Sequence, residues 1–470
     1  MLLGQGKEPT MTTQTSIHQA IEALRGAIRG TVIIPGQEGY DDARAVHDFS
    51  HDRRPAAIVQ PLTTEDVAEA VRFARSEGLP LAVKGGGHSL AGHSAVESAL
   101  VIDLSQMRAV TIDTDAATAL VQGGATSADL AGPAAANGFA LSTGDTETVG
   151  LGGLVTGGGI GWMARKQGLT IDHVRAVRMV TASGEVVGAS ASEHPDLFWA
   201  IRGGGGNFGI VTEFEFDLPR VDLVHGGVVM LPATREVVRG YLEYAPRATE
   251  DLTTIAMLMA APPAPFVPES LVGTLVLAVA VCVSDPAVAD EALAPIRALA
   301  TPLVDFVGTM PYPGMFALTE VPAMRHGAAV RSVFADTIAD ETIDAMIAQM
   351  QRSSSPFNQV QLRGLGGAIA RVEPGATAFS HRDARYLVAV IGMWMDPADP
   401  GTAHRQWVQD LWPAVAKEGR GVYVNFLEDE GETRRRAAYS AETYRRLQSV
   451  KQAYDPENVF RFNQNIAPTR

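Results

Sequence analysis

The chain has 470 residues, 46% of them hydrophobic, with a formal net charge of -15 at pH 7. This composition is typical of a globular protein of about two or three domains, and it excludes fibrous and largely disordered chains. The acidic balance argues against a nucleic-acid-binding surface, which needs an excess of Lys and Arg, so we expect an enzyme that acts on small molecules.

The first 16 residues are polar and lack the apolar core of a signal peptide, and Met11 is a candidate initiator. We therefore expect a cytoplasmic protein. The most apolar run, at 271–283, is too short to span a bilayer, and it predicts a buried strand that contains the only cysteine, Cys282. A single cysteine excludes internal disulfides, and we expect Cys282 to pack in the core.

The first 220 residues alternate between helical and extended patterns, which predicts an α+β nucleotide-binding unit. Thr63 is a suitable N-cap for a helix that ends at Gly78. Pro219 closes the unit. Further helices are predicted at 17–30 and 127–137, extended segments at 54–59, 81–83, 100–104, 110–112, 119–121 and 210–218, and a hairpin at 177–187.

Two glycine-rich segments dominate this unit. Three glycines at 85–87 follow an apolar strand and precede His88, a pattern in which backbone N–H groups can converge on a pyrophosphate. Between Gly144 and Gly161, eight of 18 residues are glycine, so we expect the main chain there to approach a large ligand closely. The GxxxxGK[ST] and strand-GxGxxG-helix patterns are absent, so ATP and NAD are not favoured. A long, two-part cofactor such as FAD suits both segments.

Residues 221–414 change to alternating strands and helices, which predicts an antiparallel sheet backed by helices. The tail, 415–470, returns to glycine, aromatic and Asn-rich motifs and is expected to rejoin the first domain. We thus predict an FAD-binding domain at 17–220, a substrate domain at 221–414 and a C-terminal segment at 415–470. The predicted strands of the substrate domain are 226–231, 254–259, 271–283, 358–365 and 386–394.

The order of the motifs resembles the berberine bridge enzyme-like branch of the FAD-linked oxidases, which have the vanillyl-alcohol-oxidase, or PCMH-type, fold. The resemblance covers nearly the whole chain. It implies an α+β protein with a PCMH-type FAD-binding domain of two α/β subdomains. The motifs are GGGHS at 85–89, TVGLGG at 148–153, GGGIG at 157–161, GLTIDHV at 168–174, DLFWA at 196–200, RGGGGNFGIV at 202–211, YDPENVF at 454–460 and NQN at 463–465.

The resemblance implies that His88 bonds covalently to the flavin 8-methyl carbon through its neutral imidazole. Many members attach the flavin a second time through a Cys four residues before Gly150, where this chain has Thr146. We therefore predict FAD bound through His88 only, similar to bacterial members such as 6-hydroxy-D-nicotine oxidase and flavoproteins of polyketide tailoring pathways. The predicted cofactor-binding residues are Lys84, Gly85, Gly86, Gly87, His88, Ser89, Gly92, His93, Thr148, Val149, Gly150, Gly152, Gly153, Gly159, Gly209, Ile210, Val211, Tyr423, Asn463 and Asn465.

The second domain is expected to supply the substrate face. Gln361 and Arg363 share one side of a predicted strand, and an amide at 361 cannot act as a base at neutral pH. Tyr423 and Asn425 alternate in the same way and are assigned to one face of a strand. The predicted catalytic residues are Gln361, Arg363, Tyr423, Asn425 and Tyr444, with Tyr439, His326, His381 and Trp394 as other candidates.

The leading hypothesis is an oxidase that transfers hydride from an alcohol or amine carbon of a small, natural-product-like substrate to the flavin, with O2 as acceptor. A flavin dehydrogenase with another acceptor, an NADPH-fed flavin reductase and a non-enzymatic flavin-binding protein are the alternatives. His88 and His93 have no accompanying carboxylate or thiol cluster, so no metal site is predicted. No nucleic-acid or membrane partner is expected.

Overall fold

A computed structural model of the chain describes residues 11–318 and 325–469. Residues 1–10, most of the polar start discussed above, lie outside this part. The α-helices, α1 to α14 in chain order, are Met11–Ala27, Tyr40–Arg44, Thr64–Ser76, Ser127–Ala136, Leu151–Thr156, Ala164–Gln167, Pro195–Ile201, Arg235–Tyr244, Ala289–Arg297, Asp340–Gln351, Ala368–Arg371, Thr402–Ala416, Gly431–Arg436 and Ala441–Tyr454.

The strands of the described residues form three sheets. Strands β1 to β17, in chain order, are Thr31–Ile33, Ala57–Gln60, Leu81–Lys84, Leu100–Asp103, Val110–Asp113, Thr118–Gln122, Val174–Val180, Val186–Ser190, Ile210–Asp217, Val224–Pro232, Leu252–Ala260, Leu275–Val283, Val304–Met310, Gly327–Ala335, Gln359–Gly364, Tyr386–Trp394 and Gly419–Gly421.

Two of these sheets belong to the first half of the chain. The first has the order β1-β2-β4-β3, with β2 and β3 parallel to β4 and β1 antiparallel to β2. The second is antiparallel, with the order β5-β6-β9-β7-β8. Helix α3 begins as predicted, because the Thr63 hydroxyl accepts from Asp66 N–H and the Asp66 carboxylate accepts from Thr63 N–H. Its buried face, which includes Val67 and Val71, packs on the first sheet.

The third sheet has eight antiparallel strands in the order β13-β10-β12-β11-β15-β16-β14-β17. Its core side packs against α8, α10 and α12 through residues such as Val390, Tyr241 and Trp407. Successive side chains of a strand point to opposite faces, so Ile391, which follows Val390 in β16, lies on the opposite side of the sheet. The α+β class and the antiparallel sheet backed by helices are thus confirmed.

The C-terminal segment packs on the first half of the chain. The Lys451 ammonium is fully buried and pairs with Asp455 at 2.6 Å. It also donates to the carbonyl oxygens of Asn207 at 2.8 Å and Phe460 at 2.9 Å. The tail therefore returns to the glycine-rich segment around residue 207, while the exact domain boundaries stay a prediction.

Three details of the sheet prediction were wrong. The apolar run at 271–283 becomes a strand only from Leu275, because Gly273 turns the chain with φ +79°. Strands β1, β13, β14 and β17 were missed. The chain at Tyr423 and Asn425 is not a strand: it forms a short 3-10 turn, Val424–Phe426, just after β17.

Candidate cofactor and substrate site

A cavity of about 450 Å³ lies between the glycine-rich loops, the C-terminal segment and the face of the eight-stranded sheet opposite α8, α10 and α12. The loops at 85–90 and 144–156 form one side of this cavity, and strands β14, β15 and β16 form the other. We call the first side the cradle and the second side the wall. The cavity therefore lies where the two halves of the chain meet.

The cradle is built by main chain at close quarters. The loops meet at Gly86 and Gly150: a Cβ added to Gly86 would lie 2.3 Å from Gly150 N, and one added to Gly150 would lie 2.2 Å from Gly86 N. Gly87 has φ +73°, a conformation that other residues rarely adopt. Only glycine lets the two segments approach each other this closely.

His88 is the chemically distinctive side chain of the cradle. Its Nε2 lies 3.1 Å from the Thr148 hydroxyl, and its ring stacks on His47 with centroids 4.1 Å apart. Burial, reinforced by the neighbouring imidazoles of His47 and His326, lowers the pKa of His88 to about 3. The imidazole is therefore neutral at pH 7, the form in which a ring nitrogen carries a free lone pair.

The wall is built by side chains. Strand β14 contributes Ala328 and Val330, and β16 contributes Ile391 and Met393 opposite them in register. Strand β15, next to β16, carries the polar pair predicted from the sequence, Gln361 and Arg363. The wall thus combines an aliphatic area with one polar strand.

Arg363 connects the wall to the cradle. Its Nη1 lies 2.5 Å from an Asp145 carboxylate oxygen, and its Nε and Nη2 donate to Gln361 Oε1 at 3.2 and 2.7 Å. The guanidinium carbon lies 5.1 Å from the centre of the Phe426 ring. Sequence reasoning missed Asp145, although it is the acidic residue beside Thr146, and that proximity was the available signal.

Tyr423 and Asn425 meet in spite of the missing strand. The Tyr423 hydroxyl oxygen accepts from Gly159 N–H at 3.0 Å and from Asn425 Nδ2 at 3.0 Å. Asn425 Nδ2 also donates to the Leu154 carbonyl at 3.0 Å. Burial raises the pKa of Tyr423, so its phenol stays protonated at neutral pH. Both hydrogen bonds use the Tyr423 oxygen as acceptor, so neither of them uses the phenol proton.

Most of the predicted site residues line the cavity. From the cofactor set these are Gly85, Gly86, Gly87, His88, Ser89, His93, Val149, Gly150, Gly152, Gly153, Gly209, Ile210, Val211, Tyr423 and Asn463, and from the catalytic set Gln361, Arg363, Tyr423 and Asn425. His326, one of the other candidates, also lines it.

The remaining predicted residues do not line the cavity. Lys84 Nζ donates to the Ala43 carbonyl, and Gly92 packs against His51. Tyr444 packs beside Tyr439, with ring centroids 6.2 Å apart. Thr148 contacts His88 and Gly159 donates to Tyr423, so each reaches the cavity only through that neighbour. Asn465, Tyr439, His381 and Trp394 also lie outside the lining.

Neither a metal-binding cluster nor a membrane-spanning helix is present in the described residues. Residues 11–318 and 325–469 contain no group of three or more His, Cys, Asp or Glu side chains placed to hold a metal ion. Within the same ranges, no helix combines the length and apolar character that a membrane span requires.

Comparison with known proteins identifies the family. The FAD binding domain family matches residues 55–190, and the berberine and berberine-like family matches residues 422–467. The chain is 32% identical over 467 residues to (R)-6-hydroxynicotine oxidase of Paenarthrobacter nicotinovorans, covering 94% of this chain and 97% of that protein. It belongs to the berberine bridge enzyme-like FAD-linked oxidases. As a member, it is an FAD-linked oxidoreductase, and FAD is its cofactor.

Solved structures agree with this assignment. 6-Hydroxy-D-nicotine oxidase from Arthrobacter nicotinovorans superposes with a TM-score of 0.84 at 28% identity, covering 94% of this chain and 98% of that one. Glucooligosaccharide oxidase from Acremonium strictum superposes with a TM-score of 0.83 at 25% identity, covering 96% and 99%. The recognised family and fold are therefore confirmed.

The residues of the cavity fit FAD. Gly86 and Gly150 keep the cradle free of side chains where a pyrophosphate would need N–H groups. Asn463 lines the cavity, and within the described residues its buried Oδ1 has no hydrogen-bond partner. Because a buried amide oxygen is costly to leave unpaired, this atom is suited to a donor on a bound cofactor.

Proposed function

We propose that this protein is an oxidase that holds FAD through a single covalent bond to His88 and oxidises an alcohol or amine carbon of a small organic substrate. The observation that carries this proposal is the position of a neutral imidazole in a glycine-built cavity that meets a partly polar wall. The bacterial relative named above oxidises hydroxynicotine, and other relatives are named as oligosaccharide oxidases.

Two contacts support His88 as the attachment residue. The Thr148 hydroxyl lies 3.1 Å from Nε2, so it can accept the Nε2 proton of the neutral ring and leave Nδ1 with its lone pair. The His47 ring, stacked at 4.1 Å, limits rotation of the imidazole. Glucooligosaccharide oxidase, a structural relative, carries an 8α-N1-histidyl linkage to FAD.

The absence of a cysteine at the second attachment position supports a single covalent bond to the flavin. Glucooligosaccharide oxidase also carries a 6-S-cysteinyl linkage. In this chain Thr146 lines the cavity at the position assigned to that cysteine, and its hydroxyl contacts Asp145. The only cysteine of the sequence, Cys282, is completely buried in β12, and burial strongly raises the pKa of its thiol.

The main-chain groups at Gly150, Gly152, Gly153, Gly209, Ile210 and Val211 would hold the remainder of FAD. The chemistry that bound FAD supplies is acceptance of a hydride from a substrate carbon and reoxidation by an acceptor, which we propose is O2. On the wall, Gln361 and Arg363 would orient the substrate, while Tyr423, positioned by Gly159 and Asn425, would hold a proton toward the cavity.

Rapid mixing tests this function against the alternatives. The oxidised holoenzyme would be mixed anaerobically with 6-hydroxynicotine, a secondary benzylic alcohol or NADPH, and the flavin absorbance recorded before and after O2 is admitted. We expect bleaching by an alcohol or amine, none by NADPH, and fast recovery with O2. Bleaching by NADPH alone would instead indicate a reductase, and slow recovery would indicate a dehydrogenase with another acceptor.

A further inference from the structure

The ionisable side chains that line the cavity are few. Within the described residues they are His88, His93, Asp145, His326, Arg363 and Tyr423. Burial lowers the pKa of His93 to about 4 and that of His88 to about 3, and it raises the pKa of Tyr423. These three groups carry no charge at neutral pH. Apart from His326, the formal charges on the cavity side chains are therefore those of Arg363 and Asp145.

Arg363 and Asp145 neutralise each other. Their ion pair is 2.5 Å long, with 7% of the Arg363 and 18% of the Asp145 side chain exposed. The guanidinium also donates twice to Gln361, so most of its hydrogen-bonding capacity is used inside the protein. A charged ligand entering beside this pair would lose its hydration and find no unpaired opposite charge.

The rest of the wall is apolar. Ala328 and Val330 lie beside Ile391 and Met393, and Phe426 closes the same space near Arg363. Burying the carbon atoms of a ligand against such a surface is favourable. The same surface offers few hydrogen-bond partners to a molecule covered with hydroxyl groups.

We propose that the substrate binds here as an uncharged molecule, a neutral alcohol or neutral amine on an apolar frame, and that the Asp145–Arg363 pair enforces this selection. The inference deepens the proposed function by naming the substrate class of the same cavity. It assigns Asp145 and Arg363 as specificity residues, which act by cancelling each other's charge. Removing Asp145 creates a preference for anionic ligands, and removing Arg363 creates a preference for cationic ones.

Three variants and four probes test the proposal. Asp145→Asn removes the negative charge of the pair, Arg363→Met removes its positive charge, and the double variant is neutral again. The probes are benzoate, its neutral isostere benzamide, benzylammonium, and xylobiose as a neutral but polar molecule. Dissociation constants would be measured on the oxidised holoenzyme by flavin absorbance and by calorimetry at about pH 8, above the ordinary titration range of histidine.

The expected results are specific in sign. The wild-type protein should bind benzamide more tightly than benzoate, benzylammonium or xylobiose. Asp145→Asn should raise the affinity for benzoate relative to benzamide by roughly tenfold or more, and Arg363→Met should do the same for benzylammonium. The double variant should return both ratios to within about threefold of the wild type.

Two outcomes would overturn the proposal: wild-type protein that binds benzoate or xylobiose at least as tightly as benzamide, or a folded Asp145→Asn protein with an unchanged ratio. If that variant does not fold, the wild-type ratios alone decide. These ratios do not depend on how the flavin is attached or on its reaction with O2. A failed oxidase assay with the expected ratios would therefore count against the proposed function and leave the substrate class intact.

Discussion

The two sides of the cavity are made in opposite ways. The cradle is shaped by backbone, with Gly86 and Gly150 in contact and hardly any room for a methyl group between them. The wall is shaped by side chains on strands β14 to β16, whose backbone is an ordinary antiparallel ladder. A surface built by backbone suits a ligand that is the same in every relative. A surface built by side chains can bind a different ligand after substitutions that leave the fold unchanged. We infer that the cradle determines the cofactor and the wall determines the substrate.

The largest effect is expected where the tail is fixed to the glycine-rich segment at 202–211. Lys451→Met leaves the fully buried Asp455 carboxylate without its cation, so we expect a loss of about 3–5 kcal/mol in the free energy of unfolding, with loss of flavin. The matched control is Arg175→Met, which removes the exposed pairs to Glu215 and Asp217 and should cost at most about 1 kcal/mol. Urea unfolding measures both, and equal losses would contradict this role of the tail.

A smaller effect is expected from one methyl group in the cradle. In Gly86→Ala the new carbon would overlap the Gly150 backbone, and overpacking of this kind costs roughly 1–3 kcal/mol. The control is its neighbour: a Cβ on Gly85 has no atom within 4 Å apart from those of Gly85 and its two chain neighbours, so Gly85→Ala should unfold like the wild type. The flavin-to-protein ratio should fall for Gly86→Ala. Normal stability and flavin content in that variant would show that the loops are less tightly joined than described.

A buried histidine that lines the same cavity, His93, should give stability a defined pH dependence. Burial lowers the pKa of His93 from 6.5 to about 4, so between these pH values the unfolded chain binds a proton that the folded protein does not. Stability therefore falls as the pH falls through this window. In His93→Gln the free energy of unfolding should decrease less steeply as the pH falls, by the contribution of about one bound proton. Chemical unfolding at a series of pH values measures the slope, and parallel curves for the two proteins would rule out this assignment.

The smallest effect is expected on the wall. Ile391→Val removes one methylene from a half-buried residue at the cavity, so we expect a loss below about 1 kcal/mol and full retention of flavin. The dissociation constant of benzamide should nevertheless weaken, since that methylene faces the ligand. Loss of flavin in this variant would erase the distinction between cradle and wall.

The sequence predicts the cradle well because its determinants are local. Thr63 with Asp66 begins α3, and the glycines at 85–87 and 150–153 line the cavity next to His88, as their spacing indicates. Such motifs depend on turn chemistry and close backbone approach, which single residue types encode.

The wall is less readable because it depends on pairing between distant strands. Strand β14 was missed: Arg331 and Ser332 interrupt its apolar pattern, and its place beside β16 is fixed only in the folded sheet. Asp145 meets Arg363 across two halves of the chain, which no local pattern reveals. Tyr444 has a suitable residue type but packs on Tyr439 instead.

We propose that one covalent bond, at His88, holds the flavin. Acid precipitation of the purified protein, followed by intact mass and peptide mapping, tests it directly, with His88→Ala as the control. We expect a yellow pellet, a mass gain of one FAD on the peptide that contains His88, and no bound flavin in the pellet of the variant. A yellow supernatant with an unmodified His88 peptide, or FAD attached at a second residue, would contradict it.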